Sequence, residues 1–184
     1  MLRINARKLV ATALALIAPF VARMAFADSP AQMVAEAQKT IAVFQKADPS
    51  LDAFFRTAAG YAVFPTVTKG GLGVGAAHGT GVLISRGKAL GKVSLSQVTV
   101  GAQAGGQEYS QVIFFETPEA LAAFERGQTT FAAQASAVAV QSGAAAHAKY
   151  TNGVAVFTAT KGGLMAEASI GGQKFKFEPF YPVQ

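Results

Sequence analysis

Apolar residues along this chain follow two periods in succession. Val34, Ala37, Ile41 and Phe44 recur at three- and four-residue spacing, while Glu36, Lys39 and Lys46 fall mostly off that line. This is the pattern of one amphipathic helix. Ser29 stands where a cap is needed and Pro30 suits the first helical position. Asp48-Pro49 ends this helix and starts another, whose apolar positions are Leu51, Phe54 and Phe55. Residues 28–59 are therefore read as helical, with the stripe facing a core.

From Gly60 the period shortens to two, glycine becomes dense and β-branched residues take over. Strands are predicted at Tyr61–Val67, Leu72–Ala77, Gly81–Ser85, Lys92–Gln103 and Ser110–Phe115. Val93 and Leu95 share one parity, and Val98, Val100 and Ala102 share the other, so a β-bulge is expected near Ser96-Gln97. Thr117-Pro118-Glu119 opens a short helix carrying Leu121 and Phe124, and Gly127 is placed to end it. Phe131–Gln141 is alanine-rich yet alternates at Val138 and Val140, and fits either helix or strand. Asn152-Gly153 and Gly171-Gly172 are hairpin turns, and Val154–Thr158, Leu164–Ile170 and Lys174–Glu178 are the last strands. The fold class is α+β: N-terminal helices, then a strongly curved antiparallel sheet, barrel-like in its extreme form, with a short inserted helix.

Ala62-Val63-Phe64 leads to Thr68-Lys69-Gly70-Gly71-Leu72, and Ala155-Val156-Phe157 leads to Thr160-Lys161-Gly162-Gly163-Leu164. One such echo is too little for a solenoid; a pair of equivalent hairpins in one curled sheet is the simpler reading. After the first copy, Leu72, Val74 and Ala76 alternate with Gly71, Gly73 and Gly75. The glycine cluster Gly70, Gly71, Gly73 and Gly75 marks either a sharp bend or the close approach of another backbone or a ligand.

The first 27 residues change how the charge is read. Arg3, Arg7 and Lys8 precede an apolar run from Leu9 to Ala22, and Ala25-Phe26-Ala27 follows. That order describes a secretory signal peptide cleaved after Ala27, leaving residues 28–184 as a single domain in the periplasm or outside the cell. The apolar run is short of the ~20 residues that span a bilayer. The whole chain carries a formal net charge of +6, but four of its 16 basic residues and none of its 10 acidic ones lie in this segment. The remainder is close to neutral, and no nucleic-acid partner is indicated. With no cysteine, disulfides, thiolate chemistry and a lipid-modified N-terminal cysteine are excluded.

Catalytic patterns are not found. His78 and His147 are isolated, no G-x-S-x-G elbow occurs, and Gly70–Gly75 has Ala76 where a dinucleotide fingerprint needs glycine. Gly81–Lys88 resembles a phosphate loop only loosely, and Ala89 replaces its Ser or Thr. The expectation is a non-enzymatic protein with no cofactor, no metal and no catalytic residues. Lys69 and Lys161 each stand beside a glycine pair, where backbone N–H groups and an ammonium could hold an anion; solvated turn lysines are the alternative.

Gly60-Tyr-Ala-Val-Phe-Pro65, Thr68-Lys-Gly-Gly-Leu-Gly-Val-Gly75, Ser94-Leu-Ser-Gln-Val98, Val100–Gln107, Ala137-Val-Ala-Val140, Asn152-Gly-Val-Ala-Val-Phe157 and Lys161-Gly-Gly-Leu-Met-Ala-Glu-Ala-Ser169 together resemble the SYLF family, in order and over essentially all of residues 28–184. The resemblance implies a lipid-binding domain, similar to eukaryotic members that recognise phosphoinositides and in some cases bind and bundle actin. It also implies an N-terminal amphipathic helix in membrane contact, corresponding to Met33–Lys46. The expected function is thus an exported module binding anionic phospholipid or a phosphoinositide-like headgroup, with Lys39, Lys46, Lys69 and Lys161 orienting that group. The alternative is a protein-interaction module that binds actin, an envelope partner or a second copy. A third reading is a small-ligand carrier with a cavity inside the curved sheet.

Overall fold

The structure is a computed structural model, and it describes residues 29–129, 131, 137–163 and 170–181. The expected signal peptide and the expected strand Leu164–Ile170, apart from Ile170 itself, lie outside these residues.

Helix α1 spans Pro30–Ala47, with the Ser29 side chain accepting from the Gln32 amide and the Gln32 side chain reaching back to the Ser29 N–H. This reciprocal capping satisfies two amide donors that the first helical turn leaves open. Its core-facing residues are Ala37, Thr40 and Phe44. Asp48 ends the helix, a single 3-10 turn covers Pro49–Leu51, and α2 runs over Asp52–Thr57. The α2 rings Phe54 and Phe55 then pack on Phe114, at centroid distances of 5.4 and 4.8 Å.

The sheet departs from the expected series of short strands. Its first three merge into one strand, β1 (Gly60–Ser85), and the next two into β2 (Lys88–Phe115). The pair forms a single long antiparallel ribbon, joined at Arg86-Gly87, where both residues have positive φ. Arg-Gly is a weaker turn signal than Asn-Gly, so the sequence pattern does not mark this hairpin. Glycines bend the ribbon without ending it, because cross-strand hydrogen bonds continue on both sides of each bend. At Gly71 a Cβ would lie 2.2 Å from the Val74 carbonyl oxygen and 2.4 Å from the Gly75 Cα. Bending is therefore the role of that glycine.

The ribbon folds back far enough to bring the two ends of β1 together. A Cβ at Gly81 would stand 2.2 Å from the Val63 carbonyl oxygen, and Ser85 Oγ donates to the Ala59 carbonyl at 2.8 Å. Helix α3 (Pro118–Glu125) follows β2, capped by Thr117 and ended by Gly127 at φ +67°. Of the ambiguous segment Phe131–Gln141, residues 132–136 lie outside the described residues, and Val138–Ala139 forms the short strand β3, pairing in parallel with β4 (Val154–Gly163). Strand β4 lies along Gln107–Phe115 of β2, and β5 (Lys174–Pro179) along Gly91–Ser96. The two halves of β2 thus take different third strands, so among the described residues the sheet is curled but open and does not close into a barrel.

Alternation along Val112–Phe115 feeds two cores. Ile113 and Phe115 point into the curl with Phe64, Leu83, Leu95 and Phe124, while Val112 and Phe114 point outward beneath α1 and α2 with Val63, Val82 and Phe157. Burial on both faces explains why this segment is continuously apolar. The curl is filled by rings: Phe124 stands 4.6 Å from Phe115 and 5.0 Å from Phe175.

Candidate functional site

The bulge expected at Ser96-Gln97 is absent. β2 runs in unbroken register with β1 from Gly81↔Val93 to Val74↔Val100, and the shifts fall elsewhere, at Phe64/Val67, Leu72/Val74 and Leu83/Ile84. An unbroken register keeps the alternation of faces. Val93 and Leu95 point inward, so Val98 and Val100 must point outward. The outer face of β1 is apolar at the same level. Leu72 is 83%, Val74 59%, Val98 71% and Val100 84% exposed. Ala76 pairs with Val98 and extends this patch, while His78 and Ser96 border it.

Val82 and Ile84 occupy this same face of β1 but are buried under the N-terminal helices. The helices cover the base of the ribbon and leave its far end bare. Contiguous exposed apolar side chains of this kind mark interaction surfaces.

The inner face at that end is correspondingly polar. Gln97, Gln107, Gln111, Gln173, Tyr109 and Lys69 are all buried. Gln111 and Gln173 exchange two amide hydrogen bonds, at 2.9 and 3.2 Å, and Gln97 Nε2 donates to the Gly171 carbonyl at 2.7 Å. Burial pushes the Tyr109 phenol up to about 12, although the nearby Gln173 amide pulls the other way. The Tyr109 hydroxyl makes no hydrogen bond of good geometry. The far end of the ribbon is inside out relative to an aqueous domain: apolar outward, polar inward.

The four lysines expected to form one anion site are not brought together. Lys39 and Lys46 are exposed on α1, and Lys39 pairs with Glu36 at 2.7 Å. Lys69 is 2% exposed and faces into the curl opposite Gln107. Lys161 is exposed at the register shift of β4 and donates to Thr66 Oγ1 at 2.9 Å. The two echo segments flank β2 on opposite edges, and there Lys69 is level with Gly163, not with Lys161, because both pair with Gln107. The one-residue difference in spacing is absorbed in these shifts, which turn one lysine inward and the other to solvent. Of the glycines, Gly71 makes the bend through its close approach to Val74 and Gly75, Gly70 has room for a Cβ (nearest atom 3.5 Å), and Gly73 lies in the same strand.

The apolar face of Met33–Lys46 is occupied by the core through Ala37 and Phe44, leaving Val43 as its exposed large apolar residue. Among the described residues no helix is long and apolar enough to cross a membrane, a statement that leaves strands open. His78 and His147 are both exposed, and among the described residues no group of three or more His, Asp or Glu side chains could hold a metal.

Helices laid on a curled, glycine-bent ribbon that ends in an exposed apolar face define an α+β domain. The family described as Ysc84, Las17-binding protein actin regulator, matches residues 96–179, and this part of the chain is similar to that SYLF-type family. It is 32% identical over 130 residues to Beta cell expansion factor A of Aeromonas veronii, an alignment covering 69% of this chain and 49% of that protein. The chain therefore spans about half the length of the curated relative it matches.

Proposed function

We propose that this protein is an exported, non-enzymatic lipid-binding module that docks on membranes through the outer face of its ribbon. The observation that carries the reading is the exposure of Leu72, Val74, Val98 and Val100 on one continuous face. Moving a valine or leucine side chain fully from water to an apolar medium yields about 1.5–3 kcal/mol. Four partly exposed side chains entering the acyl boundary would supply several kcal/mol, enough for reversible peripheral binding when joined by headgroup contacts. The exposed lysines Lys39, Lys46 and Lys161 add attraction to anionic lipid, while Lys69 is turned away from that surface. Export is supported by the charged start, apolar run and Ala25-Phe26-Ala27 site at the N-terminus.

The test is co-sedimentation with vesicles of phosphatidylcholine alone and of phosphatidylcholine with phosphatidylglycerol. The wild type should pellet, more so with the anionic lipid, and the Leu72→Asp/Val98→Asp double variant should lose at least tenfold in partitioning. Equal failure of the wild type to bind either vesicle removes the reading.

A protein-interaction role is favoured by one observation, the family's description as an actin regulator that binds Las17. Co-sedimentation with actin filaments in the absence of lipid distinguishes it.

A further inference from the structure

The polar interior of the ribbon is a feature that membrane docking leaves unused. Lys69 and Gln107 are direct cross-strand partners, and Tyr109, two residues along β2, shares their face. Direct partners stand about 5 Å apart at Cβ and diagonal neighbours about 7–8 Å, so the three side chains converge on one space. Lys69 is 2% exposed, and Gln107 and Tyr109 are each 6% exposed. None of the ion pairs among the described residues includes Lys69. Gln107 Oε1 and the Tyr109 hydroxyl are buried without a hydrogen-bond partner.

A buried ammonium is costly unless it is paired, and an orphaned buried polar atom carries its own desolvation cost. Three such groups on one face share one remedy. An oxyanion would accept from the ammonium, from the phenol O–H and from the Gln107 amide, once that amide is turned so that Nε2 takes the place of Oε1. The Gln111–Gln173 pair, hydrogen-bonded to itself, lies next to Tyr109 and stiffens that wall. We infer that Lys69, Gln107 and Tyr109 form a binding site for one small oxyanion of the phosphate class inside the curled sheet, separate from the apolar outer face.

The phosphate can be free or part of a lipid headgroup, and the two sources are distinguished by the probe. The experiment titrates the ¹⁵N-labelled protein with inorganic phosphate, and in parallel with dihexanoyl phosphatidic acid below its micelle concentration. Saturable shifts are expected at the backbone amides of Lys69, Gln107 and Tyr109. Tighter saturation of the same amides by the phosphatidic acid identifies a headgroup site, and response to inorganic phosphate alone identifies a free-phosphate site. Lys69→Met should weaken binding at least tenfold and Tyr109→Phe several-fold, whereas Lys161→Met should leave it unchanged. If Lys69→Met does not fold, the wild-type shift map decides alone. The inference is overturned if neither probe saturates, if shifts appear only around Lys39, Lys46 and Lys161, or if folded Lys69→Met binds like the wild type. The titration needs no membrane, and Leu72→Asp/Val98→Asp should leave it unaltered, so its failure and that of membrane docking are read separately.

Discussion

Replacing Asp48 with alanine tests how the N-terminal helices are held to the rest of the domain. Its carboxylate is buried between α1 and the 3-10 turn and gathers four donors. Oδ1 accepts from the Ser50 amide at 3.0 Å, the Ser50 hydroxyl at 2.6 Å and the Gly143 amide at 3.1 Å, while Oδ2 accepts from the Ala145 amide at 2.7 Å. The last two partners are about a hundred residues away in sequence, so this one side chain ties the helical segment to the loop before β4. In the alanine variant Gly143 and Ser50 can turn to water. The Ala145 N–H lies in a buried residue and cannot, at a cost of about 1–3 kcal/mol. Loss of the cap on the 3-10 turn adds about 1 kcal/mol, and the remaining charged hydrogen bonds bring the sum to about 3–4 kcal/mol. For a domain of this size that corresponds to a fall in Tm of roughly 10 °C.

The pH dependence provides a second reading of the same site. Burial alone would raise the Asp48 pKa, but the hydrogen bonds from Ser50, Ala145 and Gly143 outweigh it and hold the carboxyl below its ordinary value. A depressed carboxyl stabilises the fold above its unfolded pKa, and that stabilisation is lost as pH falls through the folded one. Urea unfolding followed by far-ultraviolet circular dichroism, at neutral pH and through the carboxylate range, should show wild-type stability declining with acid more steeply than that of Asp48→Asn. An alanine variant within 1 kcal/mol of wild type, or an asparagine variant with an unchanged acid slope, would refute the reasoning.

Gly81→Ala should cost about 3 kcal/mol or more in urea unfolding, because its Cβ would stand 2.2 Å from the Val63 carbonyl and force backbone apart. Gly106→Ala, whose Cβ has no neighbour nearer than the Lys69 carbonyl at 3.7 Å, should stay within about 0.5 kcal/mol and serves as its control. Ultraviolet titration should find a tyrosinate that forms only at about pH 12 and disappears in Tyr109→Phe. Since the unfolded phenol ionises earlier, Tyr109 stabilises the fold fully below the unfolded pKa, and this contribution is lost as pH rises through the folded one; alkaline unfolding should therefore be delayed in Tyr109→Phe. Leu121→Ala, which empties the space where two Leu121 methyls approach Gly60, should cost about 2 kcal/mol by thermal unfolding.

Local signals placed the helices well. Ser29-Pro30 and Thr117-Pro118 are caps and Gly127 is a stop in the structure as in the sequence, because each acts through hydrogen bonds within a few residues. The ribbon was harder to read. The gaps expected between Val67 and Leu72 and between Ala77 and Gly81 lie within a single strand, since pairing with β2 holds the backbone extended where local propensity would release it. The parity change after Leu95 implies a bulge if apolar residues face inward. Register is set by the whole ladder, however, and here it carries Val98 and Val100 to the surface and Gln97 to the interior. The apolar face was therefore visible in the sequence as an irregularity, with its meaning inverted.

The chain by itself determined what depends on near neighbours: the capped amphipathic helix, the switch of period at Gly60, the α+β class and the motifs of the SYLF family. Tertiary structure decided the direction of each long-strand side chain. Lys69 and Lys161 stand in matching words of the sequence, but one is buried opposite Gln107 and the other reaches Thr66 in solvent. A single-residue shift in a ladder reverses inside and outside for everything beyond it, and such shifts are fixed by pairing partners tens of residues away.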